Sequence, residues 1–351
     1  MIAWAPERFR ERTEASGTRL RPHDPIGGDW GDSTNFATAF ALATERSVEG
    51  LAEEVLAAGV DLVVHDTHAL WGFVCASFLG LPRVVSYPLF PPSDVDHPAA
   101  AWGNIPASKV GRESIERLGS IVGGLERRWG VELESWRASF FITTGPTVIC
   151  PTTSLLTGRE KLAPGWHYVG PLMSAAPAGE AGGDRPLVYV AFGTLFSWSA
   201  DPFEAAIEAL ANEPVDVFVA AGDASIRDRL GPLPRNVSVH GYVDSRALLA
   251  RASVHVTHAG AGSVQESLLA GVPMVCIPQG ADNANWASRV EELGAGETVR
   301  QDAEAVRAAV RRLLEDGRPR RRAEELGRRF GAYDGAARLQ SVVEEVLAVE
   351  A

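Results

Sequence analysis

The chain has 351 residues and is 46% hydrophobic and 22% charged, which is the composition of a globular protein with about two domains. Its net charge of −12 argues against binding to nucleic acid or to an anionic membrane surface. The sequence has no apolar run of about 18 residues that would predict a membrane span, and its N-terminus has no signal-peptide pattern. The three cysteines, Cys75, Cys150 and Cys276, have apolar neighbours and no metal or disulfide spacing, which predicts reduced core residues in a cytoplasmic protein.

Strands and helices alternate along the first half of the sequence. Runs such as DLVVH at 61–65 are typical of buried parallel strands, and apolar residues at helical spacing follow them. The Pro/Asp-rich stretches 23–34 and 88–109 predict long loops, and the second is of a length that is usually functional. The predicted strands are 1–5, 18–22, 61–65, 82–87, 147–150 and 167–169, and the predicted helices are 6–16, 35–58, 71–79, 110–129 and 132–142.

Residues 174–184 (SAAPAGEAGGD) are small and rich in Pro and Gly, which predicts a linker, and the alternation restarts after them. Two such alternations predict an α/β fold with two doubly wound Rossmann-like domains. We expect an N-terminal domain at 1–173, a C-terminal domain at 185–334 and a last helix at 335–351 that packs back across both. The predicted strands of this half are 187–192, 215–220, 237–240, 254–257 and 274–277, and the predicted helices are 201–211, 245–252, 284–293, 303–315, 319–330 and 335–349.

The stretch 254–278 (VHVTHAGAGSVQESLLAGVPMVCIP) has the pattern strand, glycine loop, helix, strand. His258 follows the first strand, and a glycine-rich loop leads from it into the helix. Ser263 and Glu266 form an S-x-x-E capping box that would open this helix, and Gly271 would end it. Because helix N-termini at the carboxyl ends of parallel strands bind anions, the stretch predicts a phosphate or diphosphate site.

Several short motifs occur in a fixed order between about residues 187 and 296. Each is weak alone, but together they resemble the nucleotide-sugar-dependent glycosyltransferases of the GT-B fold, above all the macrolide and antibiotic glycosyltransferases of the UDP-glycosyltransferase-like family. The first half matches more loosely, through 61–66 and 168–171. The motifs are AFGT at 191–194, GYV at 241–243, THAGAGSxxE at 257–266, AGVP at 270–273, PQGADN at 278–283, and RV with LGAG at 289–296.

The resemblance implies two Rossmann-like domains facing across a cleft, the first lacking its first β-α unit and the second holding a nucleotide sugar. It implies that His258 binds the donor diphosphate, that Glu266 accepts hydrogen bonds from the ribose and that Tyr242 stacks on the base. The other implied donor-binding residues are Gly260, Ala261, Gly262 and Ser263 through their N–H groups, Val243 at the base edge, Gly193 and Thr194 at the cleft floor, and Asp282 and Asn283 at the sugar hydroxyls.

The implied reaction moves a sugar from a dTDP- or UDP-sugar, as co-substrate, to a hydroxyl of a lipophilic acceptor such as a macrolide or polyketide aglycone, with inversion. His258 and the helix dipole would stabilise the leaving diphosphate, so neither a metal nor a cofactor is required. Asp66 is implied as the carboxylate that orients the catalytic histidine, and His68, His97 and Trp102 as residues that line the acceptor site. The implied partners are these small molecules, with the chain as monomer or homodimer.

The sequence departs from the family pattern in two places. The family's general base is a histidine after the first strand, whereas this sequence begins at what matches the second strand. We therefore expect one of two explanations. Either the chain is truncated, or it is a degenerate paralogue, which binds donor without turnover or uses His65 or His68 as the base. In the sugar motif, Asn283 is shorter than the usual glutamine and Trp286 stands where an asparagine is usual, which suggests a deoxysugar donor.

Simpler interpretations remain open for several of these residues. Ser263 and Glu266 alone can be a helix cap, and His258 alone can be a core histidine. Tyr242 can pack at a domain edge, and Asp66 can cap the following helix. For the whole chain, the alternatives are a catalytically degenerate nucleotide-sugar-binding or partner protein that lacks the general-base histidine, and another GT-B enzyme such as a nucleotide-sugar epimerase.

Overall fold

The computed structural model describes residues 1–26, 36–91, 112–133, 145–173, 184–193, 199–222, 224–280 and 282–350. Contacts between residues group the chain into two compact units. The predicted linker at 174–184 lies outside the described residues apart from Asp184, and the predicted domain limits stay a prediction. The first unit comprises Met1–Ser86, Pro98–Val148 and Val343–Ala351, and the second comprises Tyr87–His97 and Ile149–Val342.

The first unit begins with two strands that form a sheet of their own. β1 (Ile2–Ala5) and β2 (Arg19–Pro22) pair in parallel, joined by a short 3₁₀ turn and the helix Arg10–Ala15. The predicted β-α-β unit is therefore present, but its strands do not join the next sheet along the chain. The other helices of this unit are Phe36–Ala58, Leu70–Phe78 and Arg112–Trp129, which share an apolar core that includes Val48, Val74, Val122 and Leu125.

A four-stranded sheet has the order β3-β4-β5-β6. β3 (Val63–Asp66) pairs in parallel with β4 (Arg83–Ser86), and Asp66 lies opposite Ser86 at the end of the pair. Asp66 therefore stands at the carboxyl edge of this sheet, where α/β proteins commonly place functional groups. The remaining elements are β5 (Val148–Cys150), the short helix Ser154–Thr157 and β6 (Trp166–Tyr168).

The second unit contains a six-stranded parallel sheet with the order β12-β11-β10-β7-β8-β9. Its last strand, β12, is absent from the sequence-based prediction because GET at 296–298 is short and has no β-branched run. The strands are β7 (Leu187–Ala191), β8 (Asp216–Gly222), β9 (Val237–Gly241), β10 (Val254–Thr257), β11 (Met274–Cys276) and β12 (Gly296–Thr298). The helices are Asp201–Leu210, Ala224–Arg229, Ser245–Leu249, Ala261–Leu269, Asn283–Glu292, Ala303–Glu315 and Gly317–Gly331. The last helix, Gly335–Glu350, belongs to this unit up to Val342 and to the first unit from Val343.

Both faces of this sheet are covered, as the apolar strand sequences predict. All four residues of β10 are buried, and β10 lies between β7 and β11. From β7 the chain proceeds outward to β8 and β9, then returns to β10 and proceeds outward on the other side to β11 and β12. The order of the strands thus reverses between β7 and β10. In an open α/β sheet, ligands bind beyond the carboxyl ends of the strands at such a switch point.

Candidate functional site

Two chain segments leave the sheet side by side at the switch point, one after β7 and one after β10. Gly193, which follows β7, has φ +74°, and a Cβ placed on it would lie 2.8 Å from His258 Cε1. A Cβ on Gly260 would come closer still to His258 Nε2. Since real Cβ atoms essentially never approach other atoms so closely, a side chain at either position would force the His258 ring to shift. The imidazole of His258 is therefore held between two glycines of the predicted donor-binding set.

His258 is 8% exposed, and this burial lowers its pKa to about 4. The imidazole is consequently neutral at pH 7 and can act as an N–H donor, but not as a fixed cation. The same side chain would become a better proton acceptor if an anion lay beside it, because an opposite charge favours the imidazolium form.

The loop after His258 turns directly into the helix Ala261–Leu269. Among the residues that the structure describes, Ala259 is the one non-glycine residue with positive φ, at 62°. It is fully buried, and its N–H donates to Thr257 Oγ1 at 3.2 Å. Gly260 is the N-cap, with extended backbone at φ −68° and ψ 151°. The N–H groups of the first helical turn have no acceptor within an α-helix and carry the positive end of its dipole, which suits an anion.

The predicted capping box is wrong. Ser263 is the third residue of the helix, whose N-cap lies three residues earlier than predicted, and no side chain caps the N-terminus. The reason is that the backbone of Gly260 takes the N-cap position itself. The carboxylate of Glu266 instead accepts a hydrogen bond of 2.7 Å from Ser245 Oγ. Glu266 is therefore oriented by a residue of another helix. The predicted end of the helix is confirmed, since Gly271 follows the C-cap in a left-handed conformation with φ +68°.

The helix Ser245–Leu249 begins just after the predicted base-binding residues. Tyr242 is 75% exposed, Val243 is half-buried, and Asp244 caps the helix by accepting the N–H of Arg246 at 3.1 Å. Ser245 was not among the residues singled out from the sequence, because nothing in the sequence relates it to Glu266, 21 residues later.

A second set of contacts supports the first turn of the helix Ala261–Leu269. Ser267 Oγ donates to the Ser263 carbonyl at 2.6 Å, so His255 Nδ1–H donates to Ser267 Oγ at 2.7 Å. The His255 ring also stacks on Tyr189, with centroids 4.7 Å apart. His255 is 1% exposed, and burial lowers its pKa to about 3. These contacts tie β7 and β10 to the first turn of the helix. Sequence reasoning missed His255, although a histidine inside an apolar strand was the available signal.

The predicted sugar-binding pair lies at the start of the helix Asn283–Glu292. Asp282 is 5% and Asn283 2% exposed. The Asp282 Oδ2 atom accepts two hydrogen bonds, one of 2.7 Å from the Phe90 backbone N–H and one of 3.0 Å from Trp286 Nε1. Both donors belong to the protein.

In the first unit, the structure brings two of the predicted residues together at the end of β3. Asp66 Oδ1 accepts the backbone N–H of His68 at 2.9 Å and the Nδ1–H of its ring at 3.1 Å. Phe40 stacks on Trp71 with centroids 5.7 Å apart and lies 6.3 Å from the His68 ring. His65 is buried, which lowers its pKa to about 4, and its Nδ1–H donates to the Asp66 carbonyl. The predicted residues Thr194, His97 and Trp102 lie outside the described residues.

Within the described part of the chain, no cluster of three or more His, Cys, Asp or Glu side chains could hold a metal ion. The same residues include no helix that is long and apolar enough to cross a membrane. Cys75, Cys150 and Cys276 are buried free thiols, and burial raises the pKa of all three.

Comparisons with known proteins extend over almost the whole chain. Residues 206–337 match the family described as erythromycin biosynthesis protein CIII-like, C-terminal domain. The oleandomycin glycosyltransferase of Streptomyces antibioticus is 28% identical over 97% of this chain and 83% of its own length. The solved structure of the calicheamicin glycosyltransferase CalG4 superposes with a TM-score of 0.71 at 25% identity, covering 100% of this chain and 91% of that one. The spinosyn rhamnosyltransferase SpnG, solved in complex with thymidine diphosphate, has a TM-score of 0.66 at 18% identity over 97% of this chain and 91% of that one.

These relatives belong to the glycosyltransferase class that the motifs in the second half of the sequence resemble. They confirm the α/β fold with parallel sheets, and they confirm the resemblance on which the enzyme class was predicted. The chain is a glycosyltransferase with the GT-B fold, homologous to the macrolide and other antibiotic glycosyltransferases.

Proposed function

We propose that this chain transfers a sugar, with inversion, from a nucleoside diphosphate to a hydroxyl of a lipophilic natural product. The observation that carries the proposal is the placement of His258 between Gly193 and Gly260, beside a helix N-terminus at the switch point of the six-stranded sheet. The relatives include glycosyltransferases of oleandomycin, calicheamicin and spinosyn, and one neighbour is a complex with thymidine diphosphate. They support a macrolide- or polyketide-like acceptor and a dTDP-sugar, with a UDP-sugar as the second possibility.

In this proposal the donor diphosphate lies at the N-terminus of the helix Ala261–Leu269. The N–H groups of Gly260, Ala261, Gly262 and Ser263 and an N–H of neutral His258 donate to its oxygens and stabilise the charge that the leaving group gains. Glu266, oriented by Ser245, accepts hydrogen bonds from the ribose. Tyr242 stacks on the base, Val243 reads the base edge, Gly193 and Thr194 lie near the phosphates, and Asp282 and Asn283 border the sugar.

The Asp66–His68 pair supports a role for His68 as the general base. With Nδ1–H donated to Asp66, Nε2 of the neutral ring is the atom that can accept a proton. The acceptor oxygen attacks C1 of the sugar, the bond from C1 to the diphosphate oxygen breaks, and the general base takes up the hydroxyl proton. The diphosphate leaves with the bonding electrons, and the configuration at C1 inverts.

One experiment tests both halves of the proposal. The protein is titrated with dTDP and with UDP by calorimetry. Sugar transfer from a dTDP-sugar is then assayed with a panel of hydroxylated macrolide and polyketide aglycones as acceptors. We expect binding of at least one nucleotide and formation of a glycoside. Exchange of His68 for Gln (H68Q) should lower turnover by about 10²–10⁴-fold, the usual contribution of a general base, with nucleotide affinity unchanged. The control is H167Q, which alters a histidine of β6.

Each possible result of this experiment tests a different part of the proposal. Absence of binding to both nucleotides would contradict the donor site. Binding without transfer to any acceptor would favour the catalytically degenerate nucleotide-sugar-binding protein. Transfer that is equally fast in the H68Q variant would exclude His68 as the base.

A further inference from the structure

The Asp282 carboxylate is held by two N–H donors that converge on one oxygen atom. Phe90 N lies 2.7 Å and Trp286 Nε1 lies 3.0 Å from Asp282 Oδ2. A buried carboxylate needs such donors, because it loses its hydration on burial. Hydrogen bonds to an ionised acceptor are among the strongest in proteins. This oxygen is therefore satisfied by the protein itself.

The indole of Trp286 does more than donate this hydrogen bond. It is 1% exposed and meets the Phe90 ring edge to face, with centroids 5.0 Å apart at an angle of 79°. The Arg159 guanidinium lies 5.3 Å from the centroid of the Phe90 ring. Phe90, Trp286 and the neighbouring Val290 belong to one apolar cluster. Trp286 thus fixes both the carboxylate and the segment that supplies the second donor.

The neighbouring Asn283 is in a different situation. It is 2% exposed, and its Oδ1 atom is buried with no hydrogen-bond partner. A buried acceptor without a partner is unusual. Of the two side chains expected at the sugar, one therefore has an oxygen already saturated by protein donors and the other has an unsatisfied oxygen.

We propose that Trp286 is a specificity-determining residue that acts through Asp282. By fixing Asp282 Oδ2 to Phe90 N–H and its own Nε1–H, Trp286 withdraws this carboxylate oxygen from sugar recognition. The site then favours donor sugars that lack a hydroxyl at this point, since such a sugar leaves no group there that needs an acceptor. The inference rests on the proposed donor site and deepens it, because it names the residue that sets the class of sugar.

The test compares donor binding in matched variants, measured by calorimetry with dTDP, dTDP-glucose and a dTDP-2,6-dideoxyhexose. W286F keeps an aromatic ring against Phe90 and removes the N–H together with part of the indole ring system, a truncation that the W129F control reproduces. We expect its affinity for dTDP to equal that of the wild type. The ratio of dissociation constants for the two dTDP-sugars should shift toward the hydroxylated sugar by about tenfold, the effect of one hydrogen bond to a charged group.

Two further variants make the result specific. W286H retains a ring N–H and should keep a ratio close to that of the wild type. W129F makes the same substitution at a buried indole whose Nε1 has no hydrogen-bond partner, so the ratio should not change. An unchanged ratio in W286F, or an equal loss of affinity for all three nucleotides, would overturn the role of Trp286. Failure of the wild type to bind dTDP at all would instead overturn the proposed donor site.

Discussion

At the scale of single residues, the site depends on the absence of side chains as much as on their presence. The His258 ring occupies its observed place because Gly193 and Gly260 have no Cβ there. The sequence indicated these glycines and the histidine as neighbours of a phosphate, but could not show that they contact one another. That contact arises from the parallel pairing of β7 with β10, which joins segments more than sixty residues apart.

The replacement of Gly193 by alanine tests this packing. The new Cβ would lie 2.8 Å from His258 Cε1 and must displace the ring. We expect dTDP affinity to fall at least tenfold, which corresponds to the loss of one charge-assisted hydrogen bond. The matched control is G294A, which pays a similar conformational cost at φ +70° but meets only Arg322 Cγ, at 3.8 Å. The dissociation constants for dTDP are measured by calorimetry. Values equal to that of the wild type in both variants would contradict the packing argument.

At the scale of elements, the sequence predicted most of the strands and helices of the second unit, because apolar runs with glycine and proline stops are strong signals. It failed where a local pattern competed with the rest of the fold. The S-x-x-E motif suggested a cap, yet the helix begins at Ala261 and Glu266 bonds to Ser245. The contacts of Ser245 with Glu266, His255 with Ser267 and Trp286 with Phe90 join separate elements of the chain, and no local rule of spacing could predict them.

The element formed by His258 and the following helix should take up a proton when it binds a nucleotide. Burial lowers the pKa of His258 to about 4 in the unliganded protein, and a diphosphate beside the ring raises this pKa by favouring the charged form. We expect net proton uptake between about pH 5 and 6, growing as the pH falls. Calorimetric titration with dTDP in buffers of different ionisation enthalpy measures it. The H258Q variant should show no such uptake, and an identical uptake in that variant would assign the proton to another group.

At the scale of the whole molecule, both units contain buried neutral histidines, and these make the folded state sensitive to acid. The pKa values of His65 and His258 are lowered to about 4 and that of His255 to about 3 by burial. The unfolded chain binds protons at these sites below about pH 6.5, and the folded chain does so only near pH 4 or below. Their contribution to stability is therefore fully present above pH 6.5 and is lost as the pH falls from there toward 4.

We expect the free energy of unfolding to decrease from pH 7 to pH 5, with each of these histidines contributing about 2 kcal/mol to the decrease. Urea denaturation at the two pH values measures the decrease. The H255Q variant keeps a hydrogen-bond donor toward Ser267 but cannot titrate, so its stability should depend less on pH by about the contribution of one histidine. An equal pH dependence in wild type and variant would show that His255 is not buried in its neutral form.

The left-handed backbone of Ala259 has a consequence for the rate of ligand binding. An alanine keeps a φ of +62° only where its surroundings fix the backbone. Ala259 is fully buried, and its N–H donates a hydrogen bond to Thr257 Oγ1. We therefore expect the loop to have its nucleotide-binding shape before any nucleotide arrives. Association should then be a single bimolecular step whose observed rate rises in direct proportion to nucleotide concentration, without the plateau that a slow loop rearrangement would impose.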